Sequence, residues 1–235
     1  MNKKTTVLLI GSGRMALHLT EWCKLISTSI NLISWNRKEH SIQNLNDSIT
    51  KAEIIWLALS DDSLKDFYEN TLKEARNPNQ KIVHFSGAFN HPDMISAHPL
   101  MTFSDTVYSK NDYECIVFAL TGTESLKDAL PDFQNNFFQL DADKKPLYHA
   151  FCVLTGNLPQ ILWTKSLSIA QELDIPDQAI TTYLQKSLNN FLQLKEFSVT
   201  GPIKRNDYTT IQKNLEALSE KHSDLATIYK SFLTK

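Results

Sequence analysis

The apolar positions of this chain change their period partway along it. Up to roughly residue 140, short continuous apolar runs alternate with stretches in which apolar residues recur every three or four positions; beyond residue 145 only the second pattern is left. The continuous runs predict strands over 5–10, 31–35, 53–59, 81–85, 116–120 and 137–140. The run at 53–59 has no polar break after Glu53, as expected of a central strand covered on both faces. Between the runs, Met15, Leu19, Trp22, Cys23 and Ile26 share one helical face, as do Ile42, Leu45 and Ile49. A third face carries Leu64, Phe67, Tyr68 and Leu72, with a cap expected among Asp61, Asp62 and Ser63 and a stop at Asn77-Pro78-Asn79. A fourth helix follows Thr121-Gly122-Thr123. Strands alternating with helices predict an α/β, doubly wound parallel sheet.

The remainder reads as helix alone. Leu147, Phe151, Leu154, Leu158 and Ile161 mark a long helix interrupted at Gly156-Asn157-Leu158-Pro159. Pro176 opens another through Ile180, Leu184, Leu188, Phe191 and Leu192, with Asp174 before it as the expected cap, and Asp207 caps one through Ile211, Leu215 and Leu218. The expected division is residues 1–142 and an all-α domain over 143–235, joined at 141–146. Apolar faces this wide on a small helical domain predict a homodimer, with area buried against a second copy.

Composition narrows the class. Apolar residues at 42%, charged residues at 21% and a net charge of −2 describe an ordinary globular chain. No basic field exists for nucleic acid, and no apolar run approaches membrane-spanning length. Met1-Asn2-Lys3-Lys4 leads straight into a strand without a signal-peptide core, which predicts a cytoplasmic protein. Cys23, Cys115 and Cys152 are odd in number, far apart and set in apolar runs, so they read as reduced core residues with no metal-ligand spacing.

The chemistry concentrates at the first turn, Gly11-Ser12-Gly13-Arg14-Met15-Ala16. Two of only six glycines fall in this G-x-G-x-x-A string, between a strand and a helix. Gly11 permits the sharp turn, Gly13 leaves room for a pyrophosphate, and Ala16 lets the helix lie close to the strand. The amides of Ser12, Gly13, Arg14 and Met15 then face an anion at the helix N-terminus. The second strand ends in Asn36-Arg37-Lys38, where an NAD site carries a carboxylate. Arg37 would grip a 2′-phosphate, with Asn36 on the ribose, so NADP(H) is the expected cofactor; a solvated charge cluster is the competing reading. Leu59, Ser60 and Gly87, at carboxyl ends of strands, are expected along the cofactor.

These strings, with Leu57-Ala58-Leu59-Ser60-Asp61-Asp62, His84-Phe85-Ser86-Gly87, His98-Pro99-Leu100-Met101-Thr102-Phe103 and Thr200-Gly201-Pro202-Ile203-Lys204-Arg205-Asn206-Asp207, are spread over most of the chain. In them it resembles bacterial Rossmann-like proteins with a C-terminal helical domain of unknown function. These are grouped with NADP oxidoreductases of the deazaflavin-dependent type in the 6-phosphogluconate dehydrogenase-like superfamily. The resemblance implies a Rossmann-type sheet followed by a helical domain, and a nicotinamide cofactor; it implies no substrate.

An oxidoreductase acting on a small polar substrate between sheet edge and helices needs a proton donor or acceptor. His98 is the leading candidate because imidazole exchanges protons near neutrality, and its His-Pro-Leu setting resembles that of prephenate dehydrogenases; a packing histidine is the alternative. Ser86 would touch nicotinamide or substrate, or only satisfy its own turn. Asn157, at the helix interruption, would orient substrate, or the kink merely lets the helix wrap. His149 and Arg205 are further substrate-binding candidates. Cousins acting on β-hydroxyacids carry a catalytic lysine on this helix. Beyond its opening turn only Lys165 is available here, which argues against that mechanism. Two rivals remain: a catalytically silent NADP(H)-binding sensor or structural dimer, and an S-adenosylmethionine methyltransferase, whose second strand would also end in a carboxylate.

Overall fold

The computed structural model describes residues 4–26 and 29–233; the reading of Met1-Asn2-Lys3 as the start of a leaderless chain lies outside them. Seven strands form one sheet: β1 (Thr5–Ile10), β2 (Ile30–Trp35), β3 (Ile54–Leu57), β4 (Lys81–His84), β5 (Ile95–Pro99), β6 (Phe118–Thr121) and β7 (Phe137–Gln139). Their order across the sheet is β2-β1-β3-β4-β5-β6-β7, and all neighbours are parallel except β5 and β6. The sheet is therefore mostly parallel, with one strand more than the apolar runs indicate. Strand β5 reads Ile-Ser-Ala-His-Pro, too polar for a buried run, so His98 lies on a strand and not in a loop.

Alternate side chains of the central strands feed two cores, as a sheet covered on both faces requires. Val7, Leu9 and Trp56 join Trp22, Tyr113, Phe118 and Phe133 on one face. Leu8, Ile10, Ile55 and Leu57 join Leu45, Ile49, Leu64 and Tyr68 on the other. Helix α1 (Arg14–Ile26) buries Ala16, Leu19, Trp22 and Cys23 against the first face, and α2 (Ile42–Lys51) buries Leu45 and Ile49 against the second. Helix α3 (Asp61–Phe67) starts one residue earlier than its sequence suggests. Ser60 occupies the cap position without a side-chain cap bond, and Asp61 and Asp62 fall in the first turn. Short helices α4 (Lys110–Glu114) and α5 (Leu126–Ala129) complete the sheet's connections. The cysteines are all free, but only Cys23 is core; Cys115 is exposed and Cys152 half-buried.

After β7 the described residues are helical: α6 (Lys145–Cys152), a π-helical turn at Val153–Asn157, α7 (Leu158–Glu172), α8 (Asp177–Leu194), α9 (Pro202–Arg205), α10 (Tyr208–Lys221) and α11 (Ser223–Ser231). The widened turn falls where Gly156 and Pro159 interrupt the apolar pattern. Asp207 caps α10 through the Thr210 amide. Asp174 does not cap α8; it sits in a left-handed turn at φ 51°, and Pro176 holds the cap position. Internal contacts divide the chain into Met1–Gly156 and Asn157–Lys235, so α6 belongs with the sheet. Among the described residues, no helix is long and apolar enough to cross a membrane.

Candidate functional site

Strand β1 is followed at once by Gly11, whose φ of +138° suits glycine alone; an added Cβ would lie 2.3 Å from the Ala58 carbonyl oxygen. The turn therefore presses directly on the end of β3. Gly13 is the opposite case: its Cβ would meet nothing within 4 Å. That open space lies at the N-terminus of α1, where free amides favour an anion.

Two cavities open on this turn. One, of about 310 Å³, is lined by Gly11, Ser12, Gly13, Asn36, Arg37, Lys38, Leu59 and Ser60, with Trp35 and Phe67 as apolar walls. The other, of about 320 Å³, is lined by Gly13, Arg14, Met15, Ser60, Asp61, Ser86, His98, Met101 and Phe103. They share Gly13, Ala58, Leu59 and Ser60, and so run as one groove along the carboxyl ends of β1, β3 and β4. Exposed Arg37 takes no ion pair among the described residues, whereas Asn36 is engaged locally. Its Oδ1 accepts from the Lys38 and Glu39 amides and its Nδ2 donates to Glu39. Arg14 forks onto Asp105 through Nε (2.7 Å) and Nη2 (3.3 Å), at the solvent-exposed rim.

The far end of the groove is made by residues of β5 and of the turn after β4, to which α6 is hydrogen-bonded. Lys145, Tyr148 and His149 share one face of α6 through their i, i+3, i+4 spacing. Lys145 is fully buried; its Nζ donates to the Ser86 carbonyl (3.1 Å) and to Ser96 Oγ (2.5 Å). Tyr148 Oη lies 2.7 Å from His98 Nδ1. Gly87 packs between imidazoles: a Cβ there would come within 2.8 Å of His149 Cδ2 and 3.0 Å of His98 Nε2. Ser86 Oγ accepts from the Ala88 and Phe89 amides, so its hydroxyl serves its own turn while the residue lines the cavity.

Electrostatically this end resists added positive charge. Burial, then repulsion from Lys145 and His149, pushes the His98 imidazole down to about 4. Burial and Lys145 likewise push His84 down to about 3; its Nδ1 accepts from the Ser86 amide, and its buried Nε2 has no hydrogen-bond partner. Burial lowers Lys145 itself to about 8, opposed by Asp61. Burial and the Cys152 thiol push the Tyr148 phenol up, so it stays protonated.

Of the sequence-derived candidates, Gly11, Ser12, Gly13, Arg14, Met15, Asn36, Arg37, Lys38, Leu59, Ser60, Ser86 and His98 line the groove, and Gly87 and His149 stand beside His98. Asn157 and Arg205 belong to the other unit. Asn157 is exposed in a hollow with Gln160, Ile161, Thr164 and Lys165; Arg205 ends α9, exposed, before left-handed Asn206. Lys165 pairs with Asp224 at 2.5 Å. Lys145, Tyr148 and Asp105 went unnoticed in the sequence. Lys145 and Tyr148 carry a signal there, since polar side chains with i, i+3 and i+4 spacing on an otherwise apolar helix face mark a shared environment.

A family model described as a domain of unknown function, DUF2520, matches residues 116–235. A search of the curated proteins finds no match. Among solved structures the chain is similar to a Bacteroides fragilis protein provisionally assigned as an NADP oxidoreductase, at 18% identity and TM-score 0.76 over 98% of this chain and 96% of that one. It is similar to a Thermotoga maritima protein at 20% identity and TM-score 0.62 over 97% and 98%. It is also similar to NADP-bound pyrroline carboxylate reductase of Plasmodium falciparum, at 11% identity and TM-score 0.59 over 99% of each chain. At such identities the likeness is one of fold, and it agrees with a Rossmann-like sheet followed by helices. The family match, which extends from just before β6 through the helices and covers just over half of the chain, is what places the protein: it belongs to the DUF2520 family.

Proposed function

We propose that this chain is an NADP(H)-dependent oxidoreductase acting on a small polar substrate, and that it works as a homodimer. The observation that carries the reading is the single groove from Arg37 and Lys38, past the Gly11–Gly13 turn, to Ser86 and His98. The open space at Gly13 supports a diphosphate there, since a side chain would occupy it and nothing in the protein does. Arg37 would hold the 2′-phosphate, Trp35 and Phe67 would flank the adenine end, and Met101 and Phe103 would keep water from the other end. When bound, the nicotinamide supplies or accepts a hydride. The protein's own share is to place the substrate's reacting carbon beside it and to satisfy the oxygen or nitrogen whose charge changes.

The test is calorimetric titration with NADPH and NADH, repeated on Arg37→Ala. NADPH should bind more than about tenfold tighter than NADH, worth roughly 1.4 kcal/mol, and the variant should lose that preference. Equal affinities in the parent overturn the 2′-phosphate assignment; binding of neither nucleotide overturns the function. Consumption of NADPH with a panel of carbonyl and imine compounds then separates an enzyme from a silent nucleotide binder.

A further inference from the structure

We infer that Tyr148 is a positioning residue that fixes His98 in one neutral tautomer, with its proton on Nε2, so that Nε2–H meets a substrate carbonyl oxygen or imine nitrogen as a hydrogen-bond donor. This rests on the oxidoreductase reading above and adds the role of His98 and the class of substrate atom it faces.

The geometry begins with the 2.7 Å contact between Tyr148 Oη and His98 Nδ1. Either atom can donate, but phenol is the stronger acid and imidazole the stronger base, so the favoured bond runs from O–H to Nδ1. The same fold holds a second histidine–tyrosine pair in which the direction is fixed. His18 Nε2 lies 2.9 Å from the Ser104 carbonyl, which can only accept. In neutral His18 the proton must be on Nε2, and Tyr113 Oη, 2.7 Å from Nδ1, must donate. In His98 the corresponding Nε2 has no protein partner among the described residues, and the residue lines the cavity. What the protein satisfies internally at His18 it leaves for a ligand at His98.

The surroundings keep this imidazole neutral. His84 from β4 and Lys145 and His149 from α6 present cationic or titratable groups to it, Tyr148 is protonated, and the carboxylate that lines the same cavity, Asp61, acts on Lys145. No carboxylate lies within ion-pair distance of Lys145 among the described residues. A neutral Nε2–H is a hydrogen-bond donor and not a base, so His98 acts here as a donor while solvent exchanges the proton. It suits an atom that gains negative charge. A bound nicotinamide would supply or accept a hydride at the substrate carbon; in either direction the oxygen or nitrogen of the double bond would carry negative charge before water gives it a proton or after hydroxide takes one away. Nε2–H stabilises the growing charge without giving up its proton.

The test uses the whole chain labelled with ¹⁵N-histidine, with His98 assigned by difference from His98→Gln. Long-range proton–nitrogen spectra should show Nε2 protonated and Nδ1 unprotonated in the parent, with no titration of His98 until about pH 4. Tyr148→Phe removes only the hydroxyl and should lower the tautomer preference by roughly tenfold. A proton on Nδ1 in the parent, or a tautomer ratio unchanged in Tyr148→Phe, overturns the inference. Should Tyr148→Phe not fold, the parent spectrum alone decides where the proton resides. NADPH titration of the same labelled sample keeps the two readings apart: the expected tautomer with no nucleotide binding sinks the oxidoreductase assignment, and the reverse result sinks only the role given to Tyr148.

Discussion

At the scale of single residues, the two glycines of the first turn do opposite jobs, and substitution separates them. Gly11→Ala forces a side chain onto left-handed backbone and into the Ala58 carbonyl, so it should destabilise the fold by at least about 1–3 kcal/mol in urea unfolding. Gly13→Ala meets nothing in the free protein and should leave the urea midpoint in place while weakening NADPH tenfold or more. The histidines give a second prediction. His84 and His98 have folded values of about 3 and about 4, below the ordinary 6.5, so the unfolded chain binds more protons between these limits. Stability is complete above pH 6.5 and falls as the pH drops through that window; the melting temperature should decline there, and less steeply in His84→Asn. The glycines were legible in the sequence because their spacing and flanking elements carry the motif. Lys145 was not. A cation in the first turn of a helix opposes the macrodipole and is ordinarily solvated, so the spacing that puts Lys145 on one face with Tyr148 and His149 does not announce an ammonium buried against Ser86 and Ser96.

At the scale of elements, what sequence reveals depends on whether the determinant is local. Apolar runs identify β1, β3, β4 and β6 because strands buried on both faces need them. Strand β5 escapes because its polar residues are satisfied by distant partners: Ser96 Oγ by Lys145 and His98 by Tyr148. Helix caps obey the same rule. Asp207 is followed by an apolar helical pattern and does cap α10. Asp174 has the right chemistry, but Pro176 takes the cap position, and the aspartate is left to the turn. Helix α2 shows how much a local device contributes. Ser41 accepts from the Asn44 amide while the Asn44 side chain accepts from the Ser41 amide. Ser41→Ala should cost about 1 kcal/mol in urea unfolding, and Ser41→Asp should retain most of that stability.

At the scale of the whole molecule, the distribution of exposed apolar side chains favours a second copy. Helix α8 has eighteen residues and buries none of them, although Ile180, Leu184, Leu188 and Phe191 follow one another at helical spacing. Leu188, Phe191 and Leu192 are each about half exposed, and Phe197, just beyond α8, is 81% exposed. A helix with such a stripe and no fully buried residue has limited tertiary support in the isolated chain, since its own propensity is marginal at this length. Burying these side chains against the same stripe of another copy would supply the missing apolar contact on both sides of a two-fold axis. Light scattering after gel filtration should then give twice the 26.8 kDa of one chain. Leu188→Glu with Phe191→Glu should shift it to the single-chain mass and lower the thermal midpoint, because a charge placed in such an interface is desolvated without a partner. A single-chain mass for the parent at micromolar concentration would leave α8 without its proposed support. The groove at Gly13 lies in the other unit, so NADPH titration of the monomeric variant would show whether nucleotide binding needs the pair at all.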